Sequence, residues 1–121
     1  MGARRTGTIA RVSDAPDAVD LNELEKRAEH VAARLAELAN PKRLLILCHL
    51  AKRDREGGEA SVGELQRVVG LSQSALSQHL ARLRAAGMVA TRRESQTIHY
   101  RLADDEMRRI MRGLYDTFCG P

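Results

Sequence analysis

The chain has 121 residues, of which 43% are hydrophobic and only 2% are aromatic, and its formal net charge is +4. This length fits one domain with a small core of Leu, Ala, Val and Ile, so pairing with a second copy would help it to bury more surface. The positive charge is compatible with an anionic partner, and no apolar run resembles a membrane span or a secretory signal, so we expect a cytoplasmic protein without a membrane partner.

Residues 1–20 are polar and contain an Ala-Pro-Asp break, which predicts a disordered tail ahead of a domain at 21–119. The apolar residues that follow recur at steps of three and four, which predicts a helix with a narrow apolar seam. Such a seam is compatible with a core-facing helix or with a dimer interface, and the small core makes a dimer interface at least as good an interpretation. The seam consists of Leu21, Leu24, Ala28, Val31, Leu35 and Leu38.

Asn40-Pro41 predicts the N-cap and the first residue of a second helix. Residues 44–50 are apolar almost all round, so we expect this helix to be central and buried. The charged segment at 53–60 is interpreted as a loop. The sequence Ser-Val-Gly-Glu at 61–64 predicts a capping box that opens a short third helix at 62–69.

Gly70-Leu71-Ser72 predicts a tight turn into a fourth helix that stops at Gly87. Its leucines face the core at helical spacing, while its outer face is short and polar and carries no acidic cluster. A short helix, a turn with glycine and a helix with a polar outer face match the helix-turn-helix plan, whose second helix enters the DNA major groove. The residues predicted to contact bases or phosphates are Ser72, Gln73, Ser74, Ser77, Gln78, His79 and Arg82.

After Gly87 the apolar pattern alternates, which predicts two strands, "MVATRR" and "TIHYRL", joined by "ESQ" as a hairpin. Arg92, Arg93, Gln96 and Arg101 make this hairpin a predicted wing along the DNA. An acidic run then opens a last helix, whose apolar stripe extends almost to the C-terminus. The order of elements predicts a mainly α fold with a β-hairpin wing (α+β), that is, a winged helix-turn-helix.

Three segments of the chain resemble the bacterial ArsR/SmtB family of repressors: "NPKRLLILCHL", "LSQSALSQHLARLRAAGMVATRRESQTIHYRL" and the closing helix. The resemblance implies a homodimer formed through the first and last helices, which binds an imperfect inverted repeat in double-stranded operator DNA and releases it when an inducer arrives. The two recognition helices would lie about one DNA turn, roughly 34–36 Å, apart. The implied dimer interface consists of Leu21, Leu24, Ala28, Val31, Leu35, Ile110, Leu114 and Phe118.

The metal sites implied by this family do not match the ligands in the chain. The stretch comparable to a Cys-x-Cys site is "LCHLAK", which has one cysteine, and the last helix has Asp104 but no histidine after His99. We therefore assign no metal and no cofactor. Taken alone, Cys48 in a leucine-rich helix is ordinarily an apolar filler. Cys119, one helical turn after Tyr115 at the end of the predicted last helix, is either an accessible thiol or an inert terminal cysteine.

The pair of Cys48 and Cys119 nevertheless resembles the persulfide- and sulfide-responsive branch of the family. That resemblance implies that the two thiols face each other in one subunit, with Cys48 attacking a persulfide and Cys119 resolving it, or the reverse. The leading hypothesis is a dithiol repressor that binds operator DNA when reduced and releases it when reactive sulfur links the two cysteines. The alternatives are a metal- or metalloid-responsive repressor with a third ligand, and a small thiol enzyme, for which no catalytic constellation is present.

Overall fold

The computed structural model describes residues 20–119, so the tail predicted at 1–20 lies outside the described residues except for Asp20. The described chain forms two units, one ending at Ala33 and one beginning at Arg34. The single domain at 21–119 stays a prediction. Within residues 20–119, no helix is both long and apolar enough to cross a membrane. The elements are α1 Leu21–Leu38, α2 Pro41–Arg55, β1 Ala60–Ser61, α3 Val62–Val69, α4 Gln73–Ala85, β2 Val89–Glu94, β3 Thr97–Leu102 and α5 Asp105–Phe118.

The apolar seam of α1 is buried only at its end. The helix begins where the Asp20 carboxylate accepts a hydrogen bond of 2.8 Å from the backbone N–H of Glu23. Leu38 packs into the core. The interpretation of a core-facing helix does not hold for the rest of the seam, which the single chain leaves exposed. The large exposed side chains are Leu21, Leu24, Val31 and Leu35, at 49–76% of their full accessible surface.

Helix α2 forms the centre of the core. Asn40 caps it as predicted, accepting two hydrogen bonds of 3.0 Å from backbone N–H groups of the first turn. Ile46, Leu47 and Leu50 are fully buried, and each contributes about 1.5–3 kcal/mol relative to an exposed side chain. The prediction of a helix buried almost all round is wrong for one face, because Leu45 is 46% exposed.

The segment at 53–60 is more regular than the predicted loop. Helix α2 continues to Arg55, and Ala60–Ser61 forms the short strand β1, which pairs antiparallel with β3 opposite Tyr100 and His99. The sheet therefore has three strands in the order β1-β3-β2 rather than a hairpin alone. Two residues are too few to show an alternating pattern, and the pairing joins distant parts of the chain, so the sequence pattern did not indicate this strand.

The predicted hairpin is confirmed, with a turn one residue tighter than expected. Strands β2 and β3 pair from Val89 opposite Leu102 to Glu94 opposite Thr97, which leaves a two-residue turn. Ser95 in this turn has φ +59°, the left-handed conformation that two-residue hairpin turns favour.

The two helices of the helix-turn-helix are α3 and α4. Gly70 ends α3 with φ +68°, and the hydroxyl of Ser72 caps α4 by accepting a hydrogen bond of 3.2 Å from the backbone N–H of Ala75. Asp104 caps α5 in the same way. The core joins α2, α4, the sheet and α5. The fold is mainly helical with a three-stranded wing, which confirms the winged helix-turn-helix.

Candidate DNA-binding surface and cysteine pair

Helix α4 turns its polar face away from the core. Because Leu76, Leu80 and Leu83 are buried, the residues between them at helical spacing must face outwards. Of the predicted contacts on and beside α4, only His79 is half-buried. The predicted contact residues on and beside α4 that are exposed are Ser72, Gln73, Ser74, Ser77, Gln78 and Arg82.

A groove of about 990 Å³ lies between α4 and the tip of the hairpin. Gln73 and Ser77 line it from the helix, and Gln96 lines it from the hairpin. Arg84 lines the same groove and was missing from the predicted contacts. Its spacing of seven residues from Ser77 places both on one helix face, which is a signal that the sequence did contain. The groove therefore joins polar groups of the predicted reading helix and of the predicted wing.

Three of the predicted basic contacts are held in ion pairs. On α4, the Arg82 Nε atom lies 2.7 Å from a carboxylate oxygen of Glu37. On the wing, Arg92 contacts Glu59 at 2.8 Å, and Arg101 lies 3.7 Å from the same carboxylate. The hydrogen bond from Arg92, supported by the charges of Arg92 and Arg101, holds the pKa of the Glu59 carboxyl below its usual range.

The remaining wing residues are differently placed. Arg93 is exposed and makes no ion pair within residues 20–119, and Gln96 is exposed at the hairpin turn. Arg93 is therefore the basic wing residue whose guanidinium is most available to an anion.

A polar network connects α2 to the helix-turn-helix. Ser61 accepts the predicted capping hydrogen bond from the backbone N–H of Glu64. The Glu64 carboxylate is directed elsewhere, because it lies 2.5 Å from His49 Nε2 and 3.2 Å from Arg53 Nε, both on α2. The same helix reaches the end of α3 where the Lys42 ammonium donates a hydrogen bond of 3.0 Å to a backbone carbonyl of α3. A displacement of α2 would therefore be transmitted to α3.

The two cysteines lie on packed helices. Cys48 is half-buried on α2 against the core, and Cys119 is exposed at the end of α5; both are free thiols. Burial raises the pKa of the Cys48 thiol, and the charge of Cys119 is close enough to raise this pKa further. One turn before Cys119, the Tyr115 ring lies 4.5 Å from the guanidinium carbon of Arg55 on α2.

Possible metal ligands are scattered. The described residues, 20–119, contain no cluster of three or more His, Cys, Asp and Glu side chains suited to a metal ion. Asp104 caps α5 by accepting a hydrogen bond from the backbone N–H of Met107 and lies 3.8 Å from the Arg34 guanidinium.

Known proteins similar to this chain are regulators of transcription. The family described as "Bacterial regulatory protein, arsR family" matches residues 40–91. The biofilm growth-associated repressor of Agrobacterium fabrum is 48% identical over 103 residues, which cover 85% of this chain and 84% of the relative.

Solved structures show the same similarity. Reduced HlyU from Vibrio cholerae is 44% identical with a TM-score of 0.74, over 82% of this chain and 99% of that one. A homodimeric winged helix-turn-helix DNA-binding domain from Mycobacterium bovis, Mb0332, is 28% identical with a TM-score of 0.68, over 83% of this chain and 88% of that one.

Proposed function

Because the chain belongs to the bacterial arsR family of regulatory proteins, whose members are DNA-binding regulators and not enzymes, we propose that it is a redox-controlled homodimeric repressor. It binds operator DNA while Cys48 and Cys119 are reduced, and it releases the DNA when a persulfide or related reactive sulfur species links them. The redox part rests on the placement of the two free thiols, one on α2 and one at the end of α5, where Tyr115 of α5 contacts Arg55 of α2 one turn before Cys119. In agreement with this placement, the charge of Cys119 raises the pKa of Cys48, although burial is the larger cause.

The DNA-binding part rests on the groove between α4 and the wing. Polar side chains such as Gln73 and Gln78 can read base edges, while Arg93 and Arg84 supply charge for phosphates. A duplex seated there would meet both elements at once. A two-fold dimer would bind an inverted repeat, since each subunit would read one half-site.

The dimer rests on the exposed seam of α1. Four large apolar side chains of this helix are at least 49% exposed in the single chain, as is Phe118 near the end of α5, at 78%. A second copy would cover these groups, and Mb0332 is homodimeric. Ile110 and Leu114 are half-buried against the core, so we expect them to support the interface more than to form its centre.

The order of the thiol chemistry follows from exposure. We expect the exposed Cys119 thiolate to attack the outer sulfur of the persulfide RS–SH, releasing RS⁻ and leaving a persulfide on Cys119. The Cys48 thiolate then attacks Cys119 Sγ and expels HS⁻, which leaves a disulfide. The persulfide is the two-electron oxidant, and a second sulfur transfer before closure would leave an extra sulfur atom in the bridge. This is the reverse of the order in which Cys48 attacks first, because burial and the raised pKa of Cys48 suit the second step better.

Linking the thiols would fix α2 against α5. Since α2 holds α3 through His49 and Lys42, a shift of α2 would change the placement of the reading helix in each subunit. A coupling of about 1–3 kcal/mol, typical of allosteric proteins, would weaken DNA binding roughly 5- to 150-fold.

The test treats reduced protein with cysteine persulfide and follows its mass and its DNA binding in parallel. The DNA is a duplex selected by the reduced protein from a random library, and binding is read by fluorescence anisotropy. We expect a link between Cys48 and Cys119 within one subunit, reversed by a thiol reductant, together with DNA release.

Cys48→Ser and Cys119→Ser serve as matched controls for each other. Both should bind the selected duplex as the parent protein does, and neither should respond to persulfide. Persulfide-driven release of both variants would contradict the proposal. Release by Zn(II), Cd(II) or As(III) without any response to persulfide would favour the alternative, a metal- or metalloid-responsive repressor of the same family.

A further inference from the structure

Glu59 lies outside both DNA-binding elements, yet its carboxylate reaches the wing. One oxygen accepts a hydrogen bond of 2.9 Å from Arg92 Nε and lies 2.8 Å from Nη2 of the same guanidinium. The other oxygen lies 3.7 Å from Nη1 of Arg101. Arg92 Nη1 in turn lies 3.6 Å from the Glu94 carboxylate. All three nitrogens of the Arg92 guanidinium are therefore directed at carboxylates.

The backbone of Glu59 is anchored by the side chain of Arg53. Arg53 donates a hydrogen bond of 3.1 Å from Nε to the Glu59 carbonyl. The Arg53 guanidinium packs against Gly58, where a Cβ atom would come within 3.2 Å of it. Glycine at this position lets the guanidinium approach the backbone, which anchors the backbone from which the Glu59 side chain extends to the wing.

The arginines paired with Glu59 are open to a larger anion. Arg92 and Arg101 line a cleft of about 560 Å³ together with His99, and the side chain of Arg92 is 48% exposed. A carboxylate and a phosphate bind the same pair of guanidinium N–H groups, so one arginine cannot make both hydrogen bonds to each of them at the same time.

We propose that Glu59 competes with DNA phosphates for Arg92 and Arg101 and thereby limits the affinity of the wing for DNA. This inference rests on the proposed function, since it requires the wing to contact DNA. Arg82 on α4 is held by Glu37 in the same manner, at 2.7 Å, so an acidic partner restrains each of the two DNA-binding elements. Glu37 also contacts the buried Arg43, which makes Glu59 the cleaner position for a test.

The experiment measures the binding of reduced protein to a labelled duplex of mixed sequence, about three helical turns long, over a range of salt concentrations. Glu59→Gln keeps the size of the side chain and an oxygen acceptor but removes the charge. We expect about fivefold tighter binding at low salt. A plot of log K against log[salt] should also be steeper, by about 0.9 for each additional phosphate that the wing neutralises.

Two further variants make the result specific. Arg92→Gln in the Glu59→Gln background should abolish most of the increase in affinity, because the released guanidinium is its source. Glu56→Gln removes one negative charge nearby, where the carboxylate pairs with Arg53 and not with the wing. It should change the slope much less than Glu59→Gln does.

The outcomes separate this inference from the function on which it rests. If the parent protein binds the duplex but Glu59→Gln binds equally or more weakly with the same slope, Glu59 positions the arginines instead of competing for them. An equal increase in DNA affinity in Glu56→Gln would mean that the change in net charge alone explains the effect of Glu59→Gln, and it would also overturn the inference. If neither the parent nor Glu59→Gln binds the duplex at low salt, the proposed function fails together with it.

Discussion

The proposed DNA-binding surface and the proposed thiol site differ in how many side chains each depends on. The proposed surface contains many exposed groups, of which Gln73, Ser77 and Arg84 line one groove. The thiol site consists of two sulfur atoms, one half-buried on Cys48 and one exposed on Cys119. Removing one group from the surface should therefore weaken DNA binding by degrees, whereas removing either thiol should abolish the response to persulfide.

The two regions also differ in what they require from a second subunit. The proposed link joins cysteines of one chain, so it should form in a monomer. Reading an inverted repeat needs two reading helices at a fixed separation, so it should require the dimer. Variants of the α1 seam, of the reading helix and of the wing test this difference.

Disrupting the seam of α1 should abolish dimer-dependent DNA binding while leaving the linking of the two cysteines intact. Leu24→Glu combined with Leu35→Glu places two charges among apolar side chains that are 53% and 52% exposed in the single chain. We expect a monomer in analytical ultracentrifugation and a loss of roughly 100-fold in affinity for the selected duplex, because the second half-site no longer adds to the first. Linking of the two cysteines by persulfide should persist.

The matched control for this variant is Asn22→Glu, which adds a charge at an exposed α1 position on the helix face opposite the seam. It should remain a dimer and keep its DNA affinity. A dimeric double variant would place the subunit contact elsewhere. Loss of the cysteine link in a folded monomer would mean that the link joins two subunits.

A smaller effect is expected when the reading helix loses one amide. Gln78→Ala should cost about 1–3 kcal/mol on duplexes that carry the preferred base, and much less on other sequences. Competition between selected and scrambled duplexes measures this difference. Ala86→Gly, at the C-cap of the same helix, is the control and should leave the preference unchanged. Equal losses on both duplexes would make Gln78 a phosphate contact.

On the wing, Arg93→Ala should weaken binding broadly and only a few-fold. Since Arg93 makes no ion pair within residues 20–119, its loss should remove about one phosphate contact. The slope of log K against log[salt] should then be shallower by about 0.9. Arg109→Ala, which removes an exposed arginine from α5, is the charge-matched comparison. A slope that changes equally in both variants would remove Arg93 from the contact surface.

The helix caps show how much of the fold could be predicted from local sequence. Asn40, Ser61, Ser72 and Asp104 each accept a hydrogen bond from the first turn of the helix that follows. A cap depends on residues two or three positions apart, so it can be predicted from a short stretch of sequence. The three-stranded sheet was only partly predicted, because β1 depends on pairing with β3 across about forty residues of chain.

The candidate site was also only partly predictable from the sequence. The polar face of α4 was predictable from helical spacing, and Arg84 could have been included by the same reasoning. The ion pairs of Arg82 and Arg92 were not predictable, because Glu37 and Glu59 are distant in sequence and only the fold brings them to the DNA-binding elements. The difference in exposure of the two thiols has the same origin, since it depends on how α2 and α5 pack.

The smallest effect concerns the Cys48 thiol itself. Burial is the larger cause of its raised pKa, and the charge of Cys119 is the smaller. Cys119→Ser removes only the smaller cause, so the Cys48 pKa should fall without reaching that of an exposed cysteine. Alkylation rates against pH, read by peptide mass, measure this midpoint, and Cys119→Asp should keep it high by retaining a negative charge. An unchanged midpoint in Cys119→Ser would mean that the two thiols do not interact in solution. Since closure of the bridge needs the Cys48 thiolate, its rate in the parent protein should rise as the pH approaches the Cys48 pKa from below.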